Sequence, residues 1–219
     1  MKRFFCLLLM MFPCLSAQNL PTFHSTYYDQ KRTQHEGLPI NSGTVVMLGD
    51  SITDMGEWQE LTGLTNIQNR GISGDITLGV IDRLDSILQG KPAKIFLLIG
   101  INDIGRNIPD STIIANHRLI VQKIKSASPR TKIYLQSILP TNNEFTAFVN
   151  HQNKTQHVRH INNELFRMAT EERVTFVDLY SYFLDKEGKL DKRFTNDGLH
   201  LLGDGYQLWV RILRENKYL

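Results

Sequence analysis

Four short segments of this chain hold residue types that do chemistry, three of them directly after an apolar, β-branched run. Gly49-Asp50-Ser51-Ile52-Thr53 offers a hydroxyl after a tight turn. Asn69-Arg70-Gly71-Ile72-Ser73-Gly74-Asp75 carries glycines able to expose backbone N–H groups to an anion. Gly100-Ile101-Asn102-Asp103 adds a neutral amide donor and a carboxylate. Asp197-Gly198-Leu199-His200 sets a carboxylate three residues from an imidazole, close enough in one turn of a loop to fix the tautomer and orientation of the ring. Hydroxyl, imidazole and carboxylate are the parts of a nucleophilic acyl-transfer site. Taken singly, each segment also has a plainer reading. Ser51 is a good helix N-cap, residues 69–75 make an ordinary strand-to-helix loop, Asn-Asp suits any turn, and any loop can hold both an Asp and a His.

Something must bring segments some 150 residues apart to one place. Strands are expected at Thr44 to Leu48, Thr65 to Gln68, Lys94 to Ile99, Lys132 to Ile138 and Val174 to Leu179. Helices are expected near Met55 to Leu61, Leu78 to Leu88, Ser111 to Ser126, Thr155 to Glu171 and Asp204 to Asn216. In the second helix Leu78, Ile81, Leu84, Ile87 and Leu88 form an apolar stripe that leaves Asp82, Arg83 and Asp85 outside it. Ile95-Phe-Leu-Leu-Ile99 is apolar at every position, which suits a parallel strand covered on both faces. The alternation predicts a single doubly wound α/β domain, a five-stranded, mostly parallel sheet flanked by helices. In such a sheet the chemistry sits at the carboxyl ends of the strands, where these segments fall.

Gly49-Asp50-Ser51-Ile52, Gly74, Gly100-Ile101-Asn102-Asp103 and Asp197-Gly198-Leu199-His200 resemble the four ordered blocks of the SGNH hydrolases, the GDSL-type esterases and lipases. The resemblance runs from residue 45 to near the C-terminus, and Asn69 to Thr77 and Ser137 to Thr141 are also similar to the branch of platelet-activating factor acetylhydrolase catalytic subunits. It implies a flavodoxin-like fold and three catalytic residues: Ser51 as nucleophile, His200 as base and Asp197 as the group that holds and stabilises the imidazole. It further implies an oxyanion hole made by the backbone N–H groups of Ser51 and Gly74 and the side-chain amide of Asn102. Asp50 and Asp103 have no part in that scheme and are expected to orient loops. No cofactor and no metal is called for. The stretch from Pro140 to His157 has no counterpart in the family pattern.

Other motifs fail on particular residues. Gly74 to Gly79 has phosphate-loop spacing, but Val80 stands where a lysine is required. No G-x-S-x-G elbow occurs, so the larger α/β-hydrolase fold is not expected. His157, His160 and Glu164, with His151 upstream, lie close enough on one helical face to ligate a metal, although polar residues there are more simply solvated.

The chain has 219 residues, 41% hydrophobic and 21% charged, enough for one core of ordinary size and not for a disulfide-stapled miniprotein. Its charge of +3 is interspersed, with no basic stripe for nucleic acid. Lys2 and Arg3 followed by the apolar run Phe4 to Phe12 and by Ser16-Ala17 read as a secretory signal, cleaved after Ala17. The run is too short for a bilayer span, so no stable membrane insertion is expected once it is removed. Residues 1–17 are then the signal, 18–43 an N-terminal arm and 44–219 the hydrolase domain, secreted or periplasmic. Cleavage removes Lys2, Arg3, Cys6 and Cys14, leaving 23 basic against 22 acidic residues and no thiol. The expected substrate is a small-molecule or glycan ester with a short acyl group, since Pro140 to His157 is polar; Trp58 and Tyr206 could stack on a sugar, although an aromatic near a helix end is more often core. A lysophospholipase or thioesterase, and a non-catalytic carbohydrate-binding relative, are the alternatives. Oligomeric state is not legible.

Overall fold

The computed structural model describes residues 23–219; the expected signal at residues 1–17 lies outside them. The elements run α1 (Thr26–Glu36), β1 (Val45–Gly49), α2 (Ser51–Asp54), α3 (Trp58–Thr62), β2 (Ile67–Gly71), α4 (Thr77–Leu88), β3 (Lys94–Leu98), α5 (Ile101–Gly105), α6 (Asp110–Ala127), β4 (Lys132–Gln136), α7 (Thr155–Glu172), β5 (Thr175–Val177) and α8 (Gly203–Glu215). The strands form one sheet in the order β2-β1-β3-β4-β5, every pairing parallel. This is the doubly wound arrangement with its switch point at β1, where consecutive connections leave in opposite directions.

The sequence dictates this because the central strands have no polar face. Every residue of β1 is buried, as are Ile95 to Leu98 of β3, so each needs helices on both sides. Helices α4, α6, α7 and α8 supply that cover through Leu84, Ile120, Leu165 and Trp209, each fully buried. Each fully buried Leu or Ile contributes roughly 1.5–3 kcal/mol. Helix α1 lies against α4, where buried Tyr28 donates from its hydroxyl to the Gly79 carbonyl at 2.9 Å.

Three expectations need correcting. The helix expected at Met55 to Leu61 is confined to α3, Trp58–Thr62, because a separate turn, α2, comes first, capped by Asp50 and ending before Gly56. Strand β2 starts later than expected and continues to Gly71, carrying Asn69 and Arg70 into the sheet. The buried face of α4 is rotated: Val80 and Arg83 are buried beside Leu84 and Ile87, whereas Leu78 and Ile81 are only partly so. Arg83 goes inside because its guanidinium meets Asp75 at 2.9 Å and donates to the carbonyls of Arg70 at 2.8 Å and Gly49 at 3.0 Å. Those two carbonyls lie at the ends of β2 and β1, away from water, where a second lone pair can still be satisfied; the Gly49 carbonyl also accepts from the Ile72 N–H at 3.0 Å.

Candidate active site

Ser51 is the first residue of α2, immediately past the end of β1. The helix is capped by Asp50, whose Oδ1 accepts from the Ile52 N–H at 3.0 Å, so the Ser51 hydroxyl is not used as the cap. It meets His200 Nε2 at 2.9 Å. His200 Nδ1 lies 2.7 Å from Asp197 Oδ2, and Asp197 Oδ1 accepts from the backbone N–H groups of Leu199 and His200, both at 2.8 Å. Burial pushes the Asp197 carboxyl up, but these donors outweigh it and hold the group below the usual carboxylate range. A charged carboxylate on Nδ1 keeps the ring proton there, leaving Nε2 bare toward the serine. Gly198 N–H donates to Thr195 Oγ1 at 2.9 Å, closing the turn that puts Asp197 under its own histidine.

The three N–H donors expected to form the oxyanion hole lie on the segments that follow β1, β2 and β3. Among the described residues neither the Ser51 nor the Gly74 backbone N–H has an acceptor. Gly74 turns its peptide with φ +79°, a conformation open to glycine and costly for other residues. Asn102, in the first turn of α5, donates one N–H to the Asp75 carbonyl at 3.0 Å, which leaves its second N–H unspent. Buried carboxylates fix these loops, as expected for Asp50 and Asp103. Asp103 accepts from Thr77 N at 3.0 Å and Thr77 Oγ1 at 2.5 Å, tying α5 to the start of α4. Asp54 accepts from Ser73 N at 3.1 Å, Ser73 Oγ at 2.7 Å and Tyr27 Oη at 2.6 Å, so α1 braces the loop that ends in Gly74. Asp50 is wholly buried with Oδ2 unpartnered, and burial, with Asp75 and Asp103 nearby, pushes its carboxyl up to about 8.

The stretch without a family counterpart closes the other side. Asn142 N–H donates to the Gly198 carbonyl at 2.8 Å, and the Phe148 ring stands edge-on to His200 with centroids 4.9 Å apart. His151, in a single 3-10 turn at Val149–His151, reaches Asn102 Oδ1 with Nε2 at 3.2 Å. Phe148 and His151 gave no usable sequence signal, since nothing in residues 140–157 repeats at a helical or strand period. The sugar-stacking and metal-ligand alternatives find no support in this neighbourhood. Trp58 and Tyr206 are core residues, 2% and 7% exposed, with rings 6.0 Å apart and their polar atoms bonded to the Thr53 and Ile52 carbonyls, so they offer no face to a sugar. His157 pairs with Asp110 at 2.9 Å and Glu164 with Arg167 at 2.7 Å. Among the described residues no three such groups converge as a metal site would require.

Residues 47–208 match the model of the GDSL-like Lipase/Acylhydrolase family. The chain is 27% identical over 177 residues to the platelet-activating factor acetylhydrolase IB subunit alpha1 of Bos taurus, covering 77% of this chain and 72% of that one. A solved protein from Streptococcus pneumonia, named after a platelet activating factor, superposes with TM-score 0.80 at 32% identity, over 87% of this chain and 92% of its own. An acetylxylan esterase from Geobacillus stearothermophilus shares the fold, with TM-score 0.66 at 22% identity over 81% and 96% of the two chains.

Proposed function

The chain belongs to the GDSL-like lipase/acylhydrolase family and is a carboxylic ester hydrolase, and from that premise we propose that it is an exported serine esterase releasing short acyl groups, acetate foremost, from a carbohydrate. The observation that carries this reading is the run of contacts from Ser51 through His200 to Asp197, 2.9 and 2.7 Å. Ser51 Oγ attacks the ester carbonyl while His200 Nε2 takes its proton. The carbonyl oxygen becomes an oxyanion held by Ser51 N–H, Gly74 N–H and Asn102 Nδ2, donors that need no reorganisation as charge develops. His200 then returns the proton to the departing alcohol, leaving an acyl group on Ser51. A water activated by the same imidazole releases it as the acid. Asp197 stays ionised throughout and stabilises the imidazolium.

The preference for a short acyl group is supported by the aromatic bulk of Phe148 against His200, by the similarity to an acetylhydrolase, and by the polar composition of residues 141–154. A fatty chain gains about 0.8 kcal/mol per buried CH2 only where a continuous apolar groove receives it. The test is kcat/KM on nitrophenyl esters of rising acyl length, run beside acetate release from acetylated glycans and fatty acid release from lysophospholipid. An optimum at acetate or propionate, with acetate the faster product, is expected. An optimum at octanoate or longer would replace this reading with a lysophospholipase or thioesterase, and binding without turnover would leave a carbohydrate-binding relative. N-terminal sequencing of exported protein, expected to start at Gln18, tests the signal.

A further inference from the structure

The amide of Asn102 can point two ways, and only one presents an N–H to the oxyanion. An Asn side chain turns easily about its last bond, so something must choose. Asp75 makes half of the choice by accepting one N–H at 3.0 Å. The other half comes from outside the family motif. His151 Nε2 lies 3.2 Å from Asn102 Oδ1, delivered by the single 3-10 turn at the end of the 141–151 loop. That turn is held by Thr141 Oγ1 on the His151 carbonyl at 3.3 Å and by the His151 N–H on the Phe148 carbonyl at 3.0 Å.

The ring's proton is placed by its surroundings. Nδ1 is buried with no partner among the described residues, so a proton there would be stranded, whereas one on Nε2 finds the Asn102 oxygen. Burial, with the charges of Arg106 and Lys154 nearby, keeps the imidazole below its usual value and hence neutral. The approach depends on a missing side chain: a Cβ at Gly105, one turn after Asn102 on α5, would lie 2.6 Å from His151 Nε2. Helix α5 thus leaves a notch that the ring fills.

We propose that His151 is a positioning residue for the ester hydrolysis, donating from Nε2 to Asn102 Oδ1 so that the second amide N–H of Asn102 is fixed toward the oxyanion. The inference rests on Asn102 being an oxyanion donor, as proposed above. Because His151 touches neither the ester nor Ser51, its loss leaves the chemistry's parts in place and loosens one of them. The signature is therefore a fall in kcat at constant KM that vanishes once Asn102 has no amide to hold.

The experiment is a double-mutant cycle on the full chain with nitrophenyl acetate: wild type, His151→Phe, Asn102→Ala and the double variant, with His151→Gln as the conservative replacement and circular dichroism as the check on folding. Asn102→Ala is expected to lower kcat about a hundredfold to a thousandfold. His151→Phe is expected to lower it about tenfold, the loss of one hydrogen bond. In the Asn102→Ala background His151→Phe should cost nothing more, and His151→Gln, whose amide reaches a similar point, should restore most of kcat. Losses that multiply in the double variant, a rise in KM in place of the fall in kcat, or full kcat in His151→Phe would each overturn the assignment. Should His151→Phe not fold, His151→Asn against His151→Gln decides, since only the longer amide reaches Asn102; equal kcat for the two overturns the proposal. An unchanged kcat in Asn102→Ala alone would instead overturn the underlying oxyanion reading, and the two failures are thereby told apart.

Discussion

Asn102 and His151 face each other across 3.2 Å, yet they are held by unlike means. On the Asn102 side, Ser51, Gly74 and Asn102 start from strand ends and are tied down by buried carboxylates: Asp50 at the cap of α2, Asp54 on the Ser73 loop, Asp103 on the start of α4, and Asp75 paired with Arg83. On the His151 side, residues 141–154 have one 3-10 turn and are tied to a neighbouring loop by Asn142 Nδ2 on the Leu190 carbonyl at 2.8 Å and to themselves by Asn143 Nδ2 on Asn153 Oδ1 at 2.9 Å. Its ion pairs, Glu144 with Lys189 and Lys192, are exposed and worth little. The first half is fixed by the act of folding. The second can be re-cut without unfolding the sheet, which is where substrate selection belongs.

That contrast breaks most visibly at the nucleophile. Ser51→Ala is expected to lower kcat by about a millionfold, the scale of removing such a nucleophile, with the melting temperature nearly unchanged. Labelling of the folded variant by a fluorophosphonate would show that another residue attacks. Next comes the buried side's own stability. Arg83→Ala strands Asp75 in the core and takes a donor from the Arg70 and Gly49 carbonyls, and is expected to cost about 3–5 kcal/mol, a drop in melting temperature of about ten degrees or more. A shift of under two degrees would mean that the sheet-end half is not braced as described. The smallest effect belongs to the loop. Phe148→Ala removes the ring from His200 and is expected to change kcat/KM by about threefold to tenfold, moving the acyl optimum to longer chains, while stability changes by no more than about 0.5 kcal/mol. Equal destabilisation by Phe148→Ala and Arg83→Ala would erase the distinction between the halves.

The same division separates what is legible in the sequence from what is not. Strand positions, the parallel order and the alternation of helices follow from uninterrupted apolar runs such as Ile95 to Ile99, and the structure has them within a few residues. The four motif segments do lie together, because each is attached to a strand end or to the turn at Asp197. Arg83 was misplaced because helical periodicity weighs a charged side chain as solvent-facing and cannot see Asp75 and two carbonyls waiting in the core. Trp58 and Tyr206 are core, the more ordinary of the two readings open to an aromatic near a helix end. His151 and Phe148 stayed illegible because their role depends on a loop path fixed by Asn142, Gly105 and Gly198, contacts that leave no pattern in the order of residues.

The adjacency of β2, β1 and β3 has a consequence for how such a site tolerates change over generations of mutation. The segments that carry Ser51, Gly74 and Asn102 leave three neighbouring strands, so the points from which they set out are spaced by the ladder itself, about 4.8 Å from one strand to the next. Backbone hydrogen bonding sets that interval whatever the side chains. Drift in the helices can alter packing, charge and surface without lengthening or shortening the ruler on which the donors are marked, and the site keeps its gauge while most of the chain around it is free to vary.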